Sequence, residues 1–384
     1  MKRVKVGIIG MGFVGPIHLE ALRRLGFVDV AIAESNYERA KTAAIKYNIS
    51  EFYGDWNDLL NDSGIEVVHI CAPNNLHYPI AKRAIELGKH VICDKPLTLN
   101  IKECQDLVRL TESRGIINAV TFNMLFYPLI SQAKIIVGKG EIGKINYLQG
   151  YYFQDWLLYD TDYNWRVEAS AGGNSRIIGD LGVHCISMIQ DIIQQKVTEV
   201  YADFNTFLPT RKKPKGEIRT YEKSKGDTQY EDIKVDTEDQ ATLLMKFDGG
   251  AKGVFIGCQC SAGRKTKIGW EIYGSKKSLA WNGEEPNTLW IGNRSQSNQV
   301  LMKDFTLLDK PAATFCDFVG GLQEGYAETW KNLMKTVYSA ILKGKHIENK
   351  YPTFKDGLYI QKVVDASFES SRSGKRISIS ENSS

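Results

Sequence analysis

Val4-Lys5-Val6-Gly7-Ile8-Ile9-Gly10-Met11-Gly12-Phe13-Val14-Gly15 is the stretch that decides the fold. Val4, Val6, Ile8 and Ile9 form an apolar strand that runs straight into glycines, and a helix-competent stretch, Phe13 to Leu25, follows. Glu34 lies about 20 residues beyond, at the end of the next apolar run, Val28–Ala33. That spacing suits a dinucleotide. Gly10 permits the tight turn, Gly12 lets the backbone approach a pyrophosphate, and Gly15 lets helix and strand come close. The pyrophosphate then meets the N–H groups and the positive end of the helix. A glycine-rich turn alone is often only a turn; strand, helix and acid together carry the reading. Gly10, Gly12, Phe13, Val14 and Glu34 are the candidate cofactor contacts. Glu34 can accept hydrogen bonds from both ribose hydroxyls and would repel a 2′-phosphate. No arginine stands at positions 35 and 36 (Ser35, Asn36). NAD is therefore expected over NADP.

Outward from this motif, residues 1–125 alternate short β-branched runs with helical stretches. The runs are Val4–Ile9, Val28–Ala33, Val67–Cys71, His90–Cys93 and Ile117–Thr121. Between them lie amphipathic stretches such as Ile80–Leu87, closed by Gly88, and Ile101–Ser113, opened by Asn100 and closed before Gly115. This alternation predicts an α/β domain, a parallel sheet with helices on both faces. From 126 to 384 the rhythm changes. Ile145–Phe153, Val200–Phe207, Gln240–Phe247, Lys252–Cys260 and Trp270–Trp281 read as longer strands, with hairpin turns at Asp248-Gly249-Gly250 and Gly274-Ser275-Lys276. The expectation is an α+β domain: a mostly antiparallel sheet covered on one face by helices at Leu129–Val137, Gly182–Gln194, Tyr326–Leu342 and Lys355–Ser371. Its other face stays open, and a wide open sheet face usually finds a partner. Pro209–Glu238 reads as a polar, flexible excursion, and Ser380–Ser384 as a polar tail.

The 384 residues, 43% hydrophobic and 24% charged with a net charge of +4, describe an ordinary globule of two domains. The basic run Arg211-Lys212-Lys213-Pro214-Lys215 sits in a stretch of mixed charge, which argues for a solvated loop and against a nucleic-acid partner. The seven cysteines show no paired or zinc-type spacing; Cys258 and Cys260 fall on one face of a strand as buried thiols. No apolar run is long enough for a membrane span. Met1-Lys2-Arg3 superficially resembles the start of a signal peptide, but no cleavage site follows, so a cytoplasmic location is expected.

Several constellations can carry chemistry. Cys71-Ala72-Pro73-Asn74-Asn75-Leu76-His77 follows a strand, and in a doubly wound sheet ligands lie beyond the carboxyl ends of strands. Pro73 stiffens the turn and Asn74 can bond a ribose or a carboxamide. His77 reads either as a helix-start residue or as part of the site. Asp94-Lys95-Pro96 lies at the same edge. Lys95 is either a surface lysine or a donor aimed into the cleft, able to stabilise alkoxide character in a transition state. In Gly179-Asp180-Leu181-Gly182-Val183-His184, Asp180 and His184 fall one helical turn apart. A histidine beside a carboxylate is a tunable base. The alternatives are an N-cap with a packed histidine, or a metal pair, though no third and fourth ligand has workable spacing. Tyr151 to Arg166 is dense in aromatics and amides, including Gln154, Asp155, Trp156, Tyr159, Trp165 and Arg166. Such a segment suits a polyhydroxylated ring or an aromatic core.

Taken together these motifs resemble the glucose–fructose oxidoreductase and inositol dehydrogenase family (Gfo/Idh/MocA). The resemblance runs through Gly10–Gly15 with His18, Cys71-Ala72-Pro73-Asn74 with His77, and Gly88-Lys89-His90-Val91 leading into Asp94-Lys95-Pro96. It continues through Asn123, Trp165-Arg166, Asp180 with His184, and Tyr273-Gly274-Ser275. It implies an N-terminal Rossmann domain, an open-faced C-terminal sheet, hydride transfer to NAD, and a homodimer or homotetramer. Lys95, Asp180 and His184 match the family's catalytic trio. Pro73, Asn74, His77, Asp94, Lys95, Trp165 and Arg166 join the implied cofactor contacts. Asn123, Gln154, Trp165 and Arg166 join the trio as implied substrate contacts. Asp94 replaces the commoner Glu, Met124-Leu125 replaces a frequent Tyr-Arg, and Ser187 stands where an Asp often follows the histidine. The run from Gln154 to Arg166 is most similar to members that oxidise sugar rings or glycosides, of the levoglucosan or glucoside 3-dehydrogenase type. An inositol dehydrogenase, a keto-sugar reductase and a non-catalytic NAD- and sugar-sensing protein are the rival readings.

Overall fold

The computed structural model describes residues 3–216, 228–347 and 350–380. The chain divides into two compact units, Met1–Asn123 with Trp330–Gln361, and Met124–Thr329 with Lys362–Ser384. By sequence rhythm residues 330–361 belong with 126–384. They cluster with the first unit because their large side chains bury there: Trp330 against His18, and Tyr338 against His69 and Phe27.

In the first unit, strands β1 (Val4–Ile9), β2 (Val28–Ala33), β3 (Glu51–Tyr53), β4 (Val67–Ile70), β5 (His90–Cys93) and β6 (Asn118–Val120) form one parallel sheet in the order β3-β2-β1-β4-β5-β6. The order reverses between β1 and β4, the switch point where such folds place a nucleotide. Val6, Ile8, Ile32, Val67, Val68 and Ile70 are fully buried, as strands covered on both faces require. Strand β3 lies outside the sequence expectations because its Glu-Phe-Tyr run is short and half-buried throughout. Asn36 and Asn100 cap the helices Tyr37–Tyr47 and Ile101–Arg114, each accepting from a backbone N–H at 3.0 Å.

The second unit adds β7 (Ile145–Phe153), β8 (Val197–Asn205), β9 (Thr210–Pro214), β10 (Tyr230–Lys234), β11 (Gln240–Phe247), β12 (Lys252–Cys258), β13 (Lys267–Gly274), β14 (Ser278–Asn282), β15 (Thr288–Gly292), β16 (Gln299–Met302) and β17 (Ile377–Ser378). Apart from the β9–β10 pair these make one sheet, ordered β16-β15-β14-β13-β7-β12-β11-β8-β17, antiparallel except for the parallel β7–β12 pair. Strand register explains its two faces. Ala202, Leu243, Phe255, Gly150, Trp270 and Trp281 stand in one cross-strand row on the buried face. The next row, Tyr201, Leu244, Val254, Gln149 and Glu271, points the other way, and Tyr201 and Leu244 are exposed. Helix Val183–Ile193 docks on the buried face over Gly150, where an added Cβ would come within 2.5 Å of the Cys185 sulfur.

The excursion at Pro209–Glu238 needs correction. Its described parts form the β9–β10 antiparallel ribbon, and Arg211, expected in a solvated loop, is fully buried. Residues 217–227 of that stretch, and 381–384 of the polar tail, lie outside the described residues.

Candidate active site

The glycine loop is fixed by backbone sterics. Gly10 has φ +92°, and a Cβ there would meet the Cys71 carbonyl oxygen at 2.7 Å. A Cβ on Gly15 would run into the Gly10 carbonyl oxygen, so only glycine lets helix Val14–Arg23 start so near β1. A Cβ on Gly12 would meet nothing within 4 Å, which leaves open space beside the helix N-terminus at Phe13 and Val14. Glu34 closes the loop: its Oε1 accepts from the Met11 N–H at 2.6 Å. Its Oε2 lies 3.5 Å from Arg39 Nε. Positions 35 and 36 carry no arginine, yet the fold supplies one from the following helix. Open space, positive φ, helix N-terminus and acid together fit an NAD pyrophosphate and ribose.

The neighbouring strand ends carry the other first-unit candidates. Pro73 precedes a short turn, Asn74–Leu76, with Asn74 buried. His77 is fully buried, with Nδ1 2.8 Å from the Pro96 carbonyl and Nε2 3.0 Å from that of Ala72. A neutral imidazole carries one N–H, so His77 donates to one of these carbonyls and lies against the other, between the two loops. Burial outweighs its carbonyl partners and Asp94, and lowers its pKa. Asp94 is buried and accepts from the Thr121 hydroxyl at 2.5 Å. Lys95 is half-buried and precedes a cis peptide to Pro96. Asn123 is buried at the start of the turn Asn123–Phe126.

Asp180, His184, Gln154, Trp165 and Arg166 belong to the second unit. Asp180 sits in a π-helical turn, Ile177–Gly182, that runs directly into helix Val183–Ile193 carrying His184. The turn is wider than the α-helical one the four-residue spacing predicts; π-turns concentrate at functional sites. Asp180 is engaged from two sides: Arg166 Nε lies 3.3 Å from Oδ1, and Gln259 donates from Nε2 to Oδ2 at 2.9 Å. The Arg166 guanidinium stacks over the Trp165 ring at 4.3 Å and also reaches Asn164. Trp156 donates from Nε1 to Gln154 Oε1 at 2.9 Å. His184 is buried, its ring 6.4 Å from that of Tyr152.

Below this turn lies a buried cluster of four ionisable residues that motif reading did not find. Glu238 accepts from the Ser175 hydroxyl at 2.6 Å and from the Ile177 N–H at 2.8 Å, so it caps the turn bearing Asp180. Burial raises its pKa despite those donors. Asp239 pairs with both Arg176 and Arg211 and accepts the Phe207 and Leu208 N–H groups at 2.8 and 2.9 Å. Burial pushes its carboxyl up, but the two guanidiniums and these N–H groups outweigh burial and hold it below its ordinary value. Arg211 also donates to the carbonyls of Leu157, Tyr159 and Asp162, pinning the aromatic segment. Leu157, Val167 and Val235 form a small core there, packed with Trp156, Tyr163 and Ile233. The partners lie far apart in sequence, so no local pattern announces them. Among the described residues, no group of three or more His, Cys, Asp or Glu side chains could hold a metal ion.

A doubly wound parallel sheet with this loop defines a dinucleotide-binding protein. Residues 4–122 match the family described as "Oxidoreductase family, NAD-binding Rossmann fold", and residues 130–280 match the GFO/IDH/MocA C-terminal domain. The chain is 30% identical to levoglucosan dehydrogenase of Pseudarthrobacter phenanthrenivorans, across 96% of each chain. It is 24% identical to myo-inositol 2-dehydrogenase of Thermotoga maritima, across 88% of this chain and 89% of that one. Among solved structures, levoglucosan dehydrogenase in complex with NADH and L-sorbose superposes with a TM-score of 0.89 at 28% identity, covering 99% of this chain and 100% of the other. The chain belongs to the Gfo/Idh/MocA family, and it is an NAD-dependent oxidoreductase.

Proposed function

We propose that this enzyme oxidises a secondary hydroxyl of a pyranose sugar or glycoside. The observation that carries the reading is the Asp180 turn feeding the His184 helix. Beside it stand an amide (Gln154), indoles (Trp156, Trp165) and a guanidinium (Arg166), a set suited to a polyhydroxylated ring. His184 takes the hydroxyl proton, Asp180 orients substrate and His184, and Lys95 donates a hydrogen bond to the oxygen as charge develops on it. Asn123 and Gln154 bind further hydroxyls. Gly10, Gly12, Phe13, Val14, Glu34, Pro73 and Asn74 hold the dinucleotide. NAD, when bound, accepts the hydride. Sugar complexes of levoglucosan dehydrogenase support this substrate class over the inositol reading. A panel of pyranoses, glycosides and inositols, followed by NADH absorbance, tests it: turnover of inositols alone would replace the sugar reading. His184→Ala should lower the rate about 10²–10⁴-fold with little change in NAD affinity.

The open sheet face supports a homodimer or homotetramer. It exposes Tyr147, Tyr201, Leu244 and Ile256, and a self-complementary surface can pair about a two-fold axis. Light scattering at low micromolar concentration tests this; a mass near 43.2 kDa at every concentration would refute it. The free state of all seven cysteines supports a cytoplasmic location. Among the described residues no helix is long and apolar enough to cross a membrane.

A further inference from the structure

Gln259 lies just past the end of β12 and is fully buried. Its backbone is fixed from both sides: its N–H donates to the Asp239 carbonyl at 3.1 Å, and its own carbonyl accepts from the Leu157 N–H at 3.3 Å. Its Nε2 faces two acceptors, Asp180 Oδ2 at 2.9 Å and Gln154 Oε1 at 3.5 Å. An acceptor must be met by the NH₂ end, so the amide orientation is settled by its partners. That orientation leaves Gln259 Oε1 buried with no hydrogen-bond partner among the described residues. An unmet buried acceptor is unfavourable, and a leucine or methionine of similar size would avoid it. What the amide gains in exchange is its donor bond to Asp180. A neutral donor on one carboxylate oxygen, with Arg166 on the other, favours the ionised acid and fixes its plane.

We propose that Gln259 is a positioning residue that holds Asp180 ionised and correctly oriented at the start of the His184 helix. The inference rests on the proposed dehydrogenase reading, in which Asp180 acts with His184. Arg166, from the preceding segment, pairs with Asp180, and His184 follows four residues on in the helix that the turn feeds. Behind Gln259 lie Cys258, Cys260 and Asp239, the last already paired with Arg176 and Arg211.

Two variants separate positioning from packing. Gln259→Leu keeps the volume and removes the donor; Gln259→Glu keeps the shape and sets a second carboxyl against Asp180. For Gln259→Leu, kcat should fall about 10–100-fold while KM for NAD holds within about twofold. For Gln259→Glu, activity relative to wild type should rise as pH falls from about 8 to 6, because a proton shared between the two carboxyls restores a donor. A readout independent of turnover is ¹³C NMR of labelled aspartates, with the Asp180 signal assigned by Asp180→Asn. Its titration midpoint should move up in Gln259→Leu, because the carboxylate loses a donor. An unmoved midpoint in both variants, or a Gln259→Glu pH profile parallel to wild type, would overturn the proposal. A wild-type protein inert towards every sugar would sink the substrate reading alone, since the NMR titration still decides the role of Gln259.

Discussion

The glycine loop and the Asp180 turn are held by opposite means. The loop is made of backbone: missing Cβ atoms at Gly10 and Gly15, and one main-chain N–H, that of Met11, held by Glu34. All of it lies within residues 4–34 and the Cys71 carbonyl. The turn is made of side-chain charge: Glu238 caps it, Asp239 gathers Arg176 and Arg211, and Gln259 reaches Asp180 across 79 residues of sequence. A backbone-built site fails when an atom is added. A charge-built site fails when one is removed, because its partner stays buried without compensation.

The largest expected effect follows from that contrast. Arg211→Met should cost about 3–5 kcal/mol of stability, since three carbonyls lose their donor and Asp239 keeps one guanidinium in place of two. Lys213→Ala, on the same strand, removes a half-exposed pair with Glu168 and should cost about 0–1 kcal/mol. Urea unfolding of both variants checks this. Equal losses would mean that the ribbon is ordinary surface structure and the contrast is wrong.

That buried arginine also marks how far the sequence could be read. The parallel sheet, the glycine loop, Glu34, the cap at Asn100 and the hairpin turns were legible because each is local: a period, a glycine, a cap three residues from its partner. Arg211 was not, because Arg211-Lys212-Lys213 has the composition of a solvated run and only tertiary structure buries its first member. Gln259 stands in plain Cys-Gln-Cys, with nothing local to point it at Asp180. Arg39 shows the same limit on a smaller scale, since it reaches Glu34 from one helical turn beyond the positions a motif inspects.

The first unit holds a buried polar chain of its own, and it sharpens the comparison by pH. His18 and His69 face each other through Nδ1 at 2.8 Å, and His69 Nε2 meets the Tyr338 hydroxyl at 3.0 Å. Both rings are fully buried. Burial lowers the pKa of His18 to about 4 and that of His69 well below its ordinary value, against a small opposing pull from Asp94 on His18. A base depressed in the folded state is neutral there and charged in the unfolded chain. For His18 the contribution is complete above pH 6.5 and declines as pH falls towards 4, by about 1.4 kcal/mol per unit or about 3 kcal/mol in all, and His69 acts in the same direction. Unfolding midpoints measured between those limits should drop steeply. His18→Gln should flatten the decline, and an unchanged slope in that variant would show that these rings do not set it.

An atom added to the loop should act on the cofactor. Gly10→Ala asks alanine to adopt φ +92° with its Cβ 2.7 Å from a backbone oxygen. Strain and overpacking together come to about 3 kcal/mol, or about 100-fold in NAD affinity if the loop yields in place of the sheet. Fluorescence titration measures it. Affinity within threefold of wild type would mean that the loop is not rigid enough to be called backbone-built.

The smallest effect lies at Glu34, where the two means of construction meet. Its carboxylate holds a backbone N–H with one oxygen and faces Arg39 with the other. Repulsion of a 2′-phosphate should favour NAD over NADP by about 1–3 kcal/mol, or roughly 5- to 150-fold. The neighbouring guanidinium offsets part of that repulsion, which argues for the lower end of the range. Glu34→Ala should therefore act in two directions. NAD affinity falls modestly as Met11 loses its acceptor and the ribose hydroxyls lose theirs. NADP affinity rises, because the charge of Arg39 is no longer balanced by the acid beside it. The double variant Glu34→Ala/Arg39→Ala should lose that NADP gain while keeping the NAD deficit. Titration of all three proteins with both dinucleotides separates the contributions. Should the double variant bind NADP as tightly as Glu34→Ala, Arg39 has no part in the selection, and Glu34 acts through its own charge alone.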